Sequence, residues 1–71
     1  MDRKKFGQAL YNLRKDKFKS ARSLSLRLGK NPTYINKIEN GLNYPRTDNF
    51  LEILEELNIT LSDFDNEMRK L

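Results

Sequence analysis

Residues 20–41, S-A-R-S-L-S-L-R-L-G-K-N-P-T-Y-I-N-K-I-E-N-G, limit the possible folds of this chain more than any other segment. Gly29 and Gly41 each follow apolar residues at helical spacing, where a left-handed residue commonly ends a helix. The pattern predicts two short helices joined by a glycine turn. Asn, Thr, Tyr and Lys side chains would face outward. These groups can hydrogen-bond to base edges and phosphates, which favours DNA binding over catalysis.

The first of these two helices has an ambiguous pattern. Residues 23–28 alternate polar and apolar, which alone would predict a β-strand. We reject a strand because the chain offers no partner strand, and an isolated strand is not stable. Ser20 is a good N-cap, and Gly29 can end the helix. Leu26 then lies off the buried face, which comprises Ala21, Leu24 and Leu28.

The second helix is predicted over residues 31–40. Asn31 is a favourable N-cap, and Pro32 suits the first helical position, where its missing N–H costs nothing. Ile35 and Ile38 point inward at i, i+3 spacing, and the pair Asn40-Gly41 provides the end.

The rest of the chain also shows helical periodicity. We predict a first helix over residues 2–16 and a loop over residues 42–46. A fourth helix is capped by Thr47 or its neighbour and ends at Asn58. A last helix begins at Thr60, with Asp63 as its capping partner. The prediction is an all-α, compact five-helix bundle in which residues 1–71 form a single domain.

Composition excludes several functional classes. The 71 residues include no Cys and no His, which removes disulfides, thiol chemistry and the usual zinc sites. No apolar run approaches the roughly 18 residues of a membrane span, so we expect a cytoplasmic protein. There is no glycine-rich phosphate loop. We therefore expect no enzyme activity, no metal and no cofactor.

Charge is distributed unevenly along the chain. Residues 1–37 carry 11 Lys or Arg and 2 acids, a net +9, whereas residues 38–71 carry 3 Lys or Arg and 8 acids, a net −5. Such asymmetry in one small domain predicts a basic face for a polyanion and an acidic face turned away from it. A generally solvated charged surface is the alternative interpretation.

Several motifs together resemble a known family. Leu24, Leu28-Gly29, Ile35, I-E-N-G at residues 38–41 and Pro45 are similar to the phage-repressor and Cro type of helix-turn-helix, also called XRE-like. Phe6-Gly7, Leu10 and Leu13-Arg14 match the family's first helix, and residues 57–61 with Phe64 match its closing segment. The resemblance implies a lambda-repressor-like five-helix fold that binds double-stranded operator DNA as a dimer, with helix 31–40 in the major groove.

The resemblance also implies roles for individual residues. Pro32, Thr33, Asn36 and Lys37 fall where family members reach base edges, and Asn31, Tyr34 and Asn40 fall at or beside phosphate-contacting positions. Arg14 and Glu39 match a largely buried structural ion pair. Five further residues near the base-reading positions are predicted to contact phosphates: Ser20, Arg22, Lys30, Tyr44 and Arg46. Asn31 and Asn40 are alternatively only helix caps, and Tyr34 is alternatively only a packing residue.

Four positions depart from the family pattern. Ala21 replaces a Gln that anchors the second helix to a phosphate, and Ser25 replaces a small Ala at the helix packing contact. Lys30 replaces an apolar turn residue, and Pro32 cannot read a base through hydrogen bonds. Specificity therefore rests on fewer residues than is usual in the family.

These observations predict a sequence-specific DNA-binding transcriptional regulator that acts as a repressor and forms a weak homodimer on DNA. The alternative is a protein-interaction module, such as an adaptor or antitoxin-like partner on the same fold. Its apolar contact would comprise Leu26, Leu42, Phe64 and Met68.

Overall fold

The computed structural model describes residues 2–18 and 20–71, and within them it contains five α-helices and no β-strand. Helix α1 spans Arg3–Arg14, α2 spans Ala21–Arg27, α3 spans Tyr34–Glu39, α4 spans Thr47–Leu57 and α5 spans Leu61–Arg69. The predicted all-α, five-helix fold is confirmed.

Helix α1 begins with a carboxylate that offsets its basic first turn. The side chain of Asp2 accepts hydrogen bonds from the N–H groups of Lys4 and Lys5, at 2.8 and 3.4 Å, which places a negative charge at the positive end of the helix dipole. The helix ends at Arg14, two residues earlier than predicted. There the Lys17 N–H donates to the Arg14 carbonyl three residues back, which tightens the chain into a turn.

Local capping residues determine the ends of α4 and α5. Asn58 adopts a left-handed φ of 54° and ends α4 as predicted. Thr60 and Asp63 form the predicted capping box at the start of α5. At the start of α4, Arg46, the neighbour of Thr47, occupies the N-cap position but its side chain makes no capping hydrogen bond, and Thr47 is already helical.

One apolar cluster joins all five helices. The ring of Phe6 on α1 lies 5.3 Å from that of Phe50 on α4 and 4.9 Å from that of Phe64 on α5, measured between centroids. Leu51 is apolar but exposed, because it lies about 100° round the helix from Phe50. The buried cluster comprises Phe6, Ala9, Leu10, Ala21, Leu24, Ile35, Ile38, Ile53, Leu54, Leu57 and Phe64.

Gly7 sets the distance between α1 and the end of α3. A Cβ atom added there would lie 2.4 Å from the carbonyl oxygen of Ile38 and 2.6 Å from that of Glu39. Both distances are far shorter than a van der Waals contact. Only a glycine therefore allows α1 to rest directly on the backbone of α3, which holds the outward face of α3 in place.

Candidate nucleic-acid interface

The turn between α2 and α3 is built as the sequence predicts. Ser20 caps α2, since its hydroxyl accepts from the Ser23 N–H at 3.0 Å. Gly29 has a φ of +72°, and the following Lys30 N–H donates to the Ser25 carbonyl at 3.0 Å. This is the hydrogen-bond pattern of a helix closed by a left-handed glycine. The chain therefore reverses within a few residues and brings α3 against α2.

The start of α3 differs from the prediction. The expected helix over residues 31–40 is wrong at its N-terminal end, because the α-helix begins at Tyr34 and residues 32–33 form a turn. Asn31 still caps this turn, since its side-chain oxygen accepts from the Thr33 N–H at 3.0 Å. The end is as predicted: the Leu42 N–H donates to the Lys37 carbonyl across a left-handed Gly41.

Ser25 explains the late start of α3. Its buried hydroxyl donates to the Ala21 carbonyl at 2.8 Å and accepts from the Ile35 N–H at 3.0 Å. In a helix starting at Pro32, that N–H would instead donate to the Asn31 carbonyl four residues back. The Ser25 hydroxyl thus accepts a hydrogen bond from a backbone N–H of α3 and ties α2 to α3.

The four predicted base-reading residues lie together on the outward side of α3 and the turn before it. Thr33, Asn36 and Lys37 are exposed and Pro32 is half-buried, while Ile35 and Ile38 on the opposite side are fully buried. The Asn36 side-chain oxygen accepts from the Asn40 amide at 2.9 Å. This bond leaves the Asn36 amide nitrogen, and a second lone pair on its oxygen, for another partner.

Most of the predicted phosphate-contacting residues are also exposed. Ser20, Arg22, Asn31, Asn40 and Arg46 are exposed. Lys30 is half-buried, with its Nζ 5.7 Å from the ring centroid of Tyr34. Ser20 and Asn31 are cap residues as well as predicted phosphate contacts, and the structure shows their capping hydrogen bonds.

The two predicted tyrosines are placed differently from the outward row. The Tyr34 hydroxyl is buried and makes no hydrogen bond of normal geometry. Burial raises the pKa of Tyr34, and the neighbouring Asn49 side chain on α4 partly offsets this increase. The structure therefore does not present this hydroxyl to a phosphate. Tyr44 packs edge-on against Phe6, with ring centroids 5.3 Å apart, and its ring also faces the guanidinium of Arg3 at 5.4 Å.

Arg14 and Glu39 form an ion pair between α1 and α3. Arg14 Nε lies 2.7 Å from one carboxylate oxygen of Glu39, and Nη2 lies 2.9 Å from the other. The two side chains are only 7% and 8% exposed. The hydrogen bonds that Arg14 donates to Glu39 raise the pKa of Arg14, so its guanidinium stays charged at any working pH. Glu39 is therefore held inside the fold, apart from the outward row beside it.

A cleft opens next to Asn36 and Asn40, and two of its residues were not singled out in the sequence. Gln8 and Tyr11 of α1 line it together with Ala21. The signal that would have found them is the helical spacing of exposed polar residues along α1, which is visible in the sequence.

Comparisons with known proteins agree with this geometry. The sequence profile of the family described as helix-turn-helix domain matches residues 7–64. Neither the comparison with curated proteins nor that with solved structures gave a match. Among residues 2–18 and 20–71, no helix has the length and apolar character needed to cross a membrane.

Proposed function

Because the chain belongs to the helix-turn-helix domain family, we propose that it is a sequence-specific regulator of transcription that binds double-stranded DNA. Within that family we assign it to the phage-repressor and Cro type, and we propose that it acts as a repressor. The observation that carries the proposal is the side-chain arrangement of α3, which turns Asn36 and Lys37 outward while Ile35 and Ile38 anchor the helix in the core.

The exposed side chains suit the floor of the major groove. The Asn36 amide matches the donor and acceptor pair of adenine, and Lys37 matches the two acceptors of guanine. The methyl group of Thr33 suits contact with a thymine methyl. Each good bidentate contact discriminates by about 1–3 kcal/mol. Since Pro32 offers no hydrogen bond, one subunit reads only a few base pairs.

So few contacts per subunit favour a dimer. Two copies bound to a palindrome would double the number of base contacts, with half-site centres about 34 Å apart. We propose a weak homodimer that tightens on DNA. We also propose that the protein has no enzyme activity, since its sequence has no Cys or His to act as nucleophile or general base.

A protein-interaction module is not favoured by the packing. Of the four residues expected to form its apolar contact, Phe64 is 2% exposed and belongs to the core, and Met68 packs against the core. The expected surface therefore reduces to Leu26 and Leu42, which are 51% and 61% exposed.

The test is selection of bound duplexes from a random DNA pool, followed by titration of variants. We expect a palindromic consensus for the parent chain. Asn36→Ala and Lys37→Ala should each relax the preference at a single position per half-site, by about 1–3 kcal/mol. Asn66→Ala, which removes an exposed amide from α5, serves as the matched control and should leave the preference intact.

Failure to enrich any sequence would contradict the proposed function. If the parent chain enriches a consensus and the Asn36→Ala and Lys37→Ala variants enrich the same one, only the choice of base-reading residues is contradicted.

A further inference from the structure

One face of α1 carries four exposed residues that are not among the predicted base-reading or phosphate-contacting residues. Lys4, Gln8, Tyr11 and Lys15 follow one another at intervals of four, three and four residues, which places them on one narrow stripe of the helix. Tyr11 is 42% exposed, although aromatic rings are usually more deeply buried. We refer to these four residues as the α1 stripe.

The α1 stripe lies beside the end of α3. A Cβ atom added to Gly41 would lie 3.3 Å from Cγ of Lys4, so the lysine stem packs against the residue that closes α3. Gln8 and Tyr11 line the cleft that Asn36 and Asn40 line from the other side. The stripe therefore continues the outward surface of α3 onto α1.

The chemistry of the stripe suits an anion. Lys15 Nζ lies 5.7 Å from the ring centroid of Tyr11, and Lys4 adds a second positive charge at the far end. Gln8 Nε2 donates to Asn12 Oδ1 at 2.9 Å. This bond uses one of the two amide hydrogens and leaves the other for a ligand. Ala21, at the start of α2, has no side-chain donor, so in this cleft the donors come from α1 and α3.

Resting on the proposed DNA-binding function, we propose that the α1 stripe binds phosphates of the DNA backbone flanking the groove that α3 enters. Lys4 and Lys15 neutralise phosphates, and Gln8 and Tyr11 donate hydrogen bonds to phosphate oxygens. These contacts position α3 but do not read the base sequence.

The test measures binding of the selected duplex over a range of salt concentrations. A plot of log affinity against log salt has a negative slope. The double variant Lys4→Ala/Lys15→Ala should make that slope shallower by about 2, since each phosphate neutralised contributes about 0.9. Gln8→Ala and Tyr11→Phe should each weaken binding about tenfold, as expected for loss of a hydrogen bond to a charged group, with the slope unchanged. The selected consensus should stay the same in all of these variants.

Two matched controls separate the effect of the α1 stripe on DNA binding from the effect of net charge and from a change in protein stability. Lys5→Ala removes the same charge from a position about 100° round the helix from Lys4, and it should change the slope less than Lys4→Ala does. Asn12→Ala removes the hydrogen bond between Gln8 and Asn12, and a second one from Asn12 to Glu67 on α5, but keeps Gln8. It should bind DNA like the parent chain, with any loss of stability measured separately by urea denaturation.

The outcomes distinguish this inference from the function on which it rests. If the parent chain enriches no DNA sequence, the proposed function itself fails. If it enriches a consensus and the stripe variants bind with the parent's affinity and slope, only the stripe is refuted. A changed base preference in Gln8→Ala or Tyr11→Phe would also overturn the phosphate role, because it would make these residues base readers.

Discussion

At Gly7, a missing methyl group determines how closely two helices approach. Alanine is the better helix former by about 1 kcal/mol, so propensity alone predicts that Gly7→Ala stabilises the protein. The Ile38 carbonyl oxygen, 2.4 Å from the added Cβ, reverses that sign because it belongs to the backbone and cannot rotate away. We expect a net loss of about 1–3 kcal/mol in the free energy of unfolding, measured by urea denaturation.

Gly29→Ala provides the contrasting control for that prediction. A Cβ there would meet no atom within 4 Å, but the φ of +72° is unfavourable for alanine. Its cost of about 1 kcal/mol would come from backbone conformation alone. A Gly7→Ala variant as stable as the parent would show that α1 and α3 can separate without loss.

Glu39 is the residue whose removal leaves a buried charge unpaired. In Glu39→Ala the guanidinium of Arg14 keeps its charge but loses both carboxylate hydrogen bonds. We expect a loss of about 3 kcal/mol in the free energy of unfolding, at the low end for a broken buried pair because the cleft lies beside it. Thermal and urea denaturation of the free protein would measure it.

Glu56→Ala is the matched control, since it breaks the more exposed ion pair between Arg27 and Glu56. Its cost should be about 0–1 kcal/mol. Equal costs for Glu39→Ala and Glu56→Ala would refute a structural role for the Arg14–Glu39 pair.

At the scale of elements, the hydroxyl of Ser25 couples the start of α3 to α2. In Ser25→Ala the Ile35 N–H loses its acceptor, at a cost of about 1–3 kcal/mol unless α3 extends back so that Asn31 accepts instead. We expect faster hydrogen exchange at the Ile35 amide, measured by NMR, together with lower stability. Ser23→Ala is the control. It removes an exposed hydroxyl that is bonded only to the carbonyl and hydroxyl of Ser20, so hydrogen exchange at the Ile35 amide should stay at the parent rate.

The ends of the helices show which elements depend on local sequence. Ser20, Asn58 and the pair Thr60 and Asp63 act within a few residues of themselves, and each behaves as predicted from its residue type. The start of α3 depends on a residue ten positions earlier in the chain, which no local rule could include. Local capping rules therefore succeeded where the acceptor is adjacent in sequence.

At the scale of the whole molecule, the small number of base contacts that we propose for one copy predicts a binding site with two half-sites. If two copies bind together, five base pairs inserted between the half-sites would turn one of them to the opposite face of the duplex, because a turn contains about 10 base pairs. Affinity should then fall to that of a single half-site. The same five base pairs added outside the palindrome should have no effect.

Titration and sedimentation of the two DNAs would measure both the affinity and the number of bound copies. A single copy bound with equal affinity to both DNAs would contradict the dimer and leave DNA binding itself intact.

Sequence patterns alone determined the number of helices, most of their ends and most of the residues that each helix buries, because apolar periodicity and capping act over short segments. Tertiary structure alone decided three features. It buried the Tyr34 hydroxyl against α4, it made the Ser25 hydroxyl the acceptor for the Ile35 N–H, and it placed the α1 stripe beside α3. Each depends on which surfaces of different helices meet, and that follows from packing of the whole core rather than from the residues of one helix.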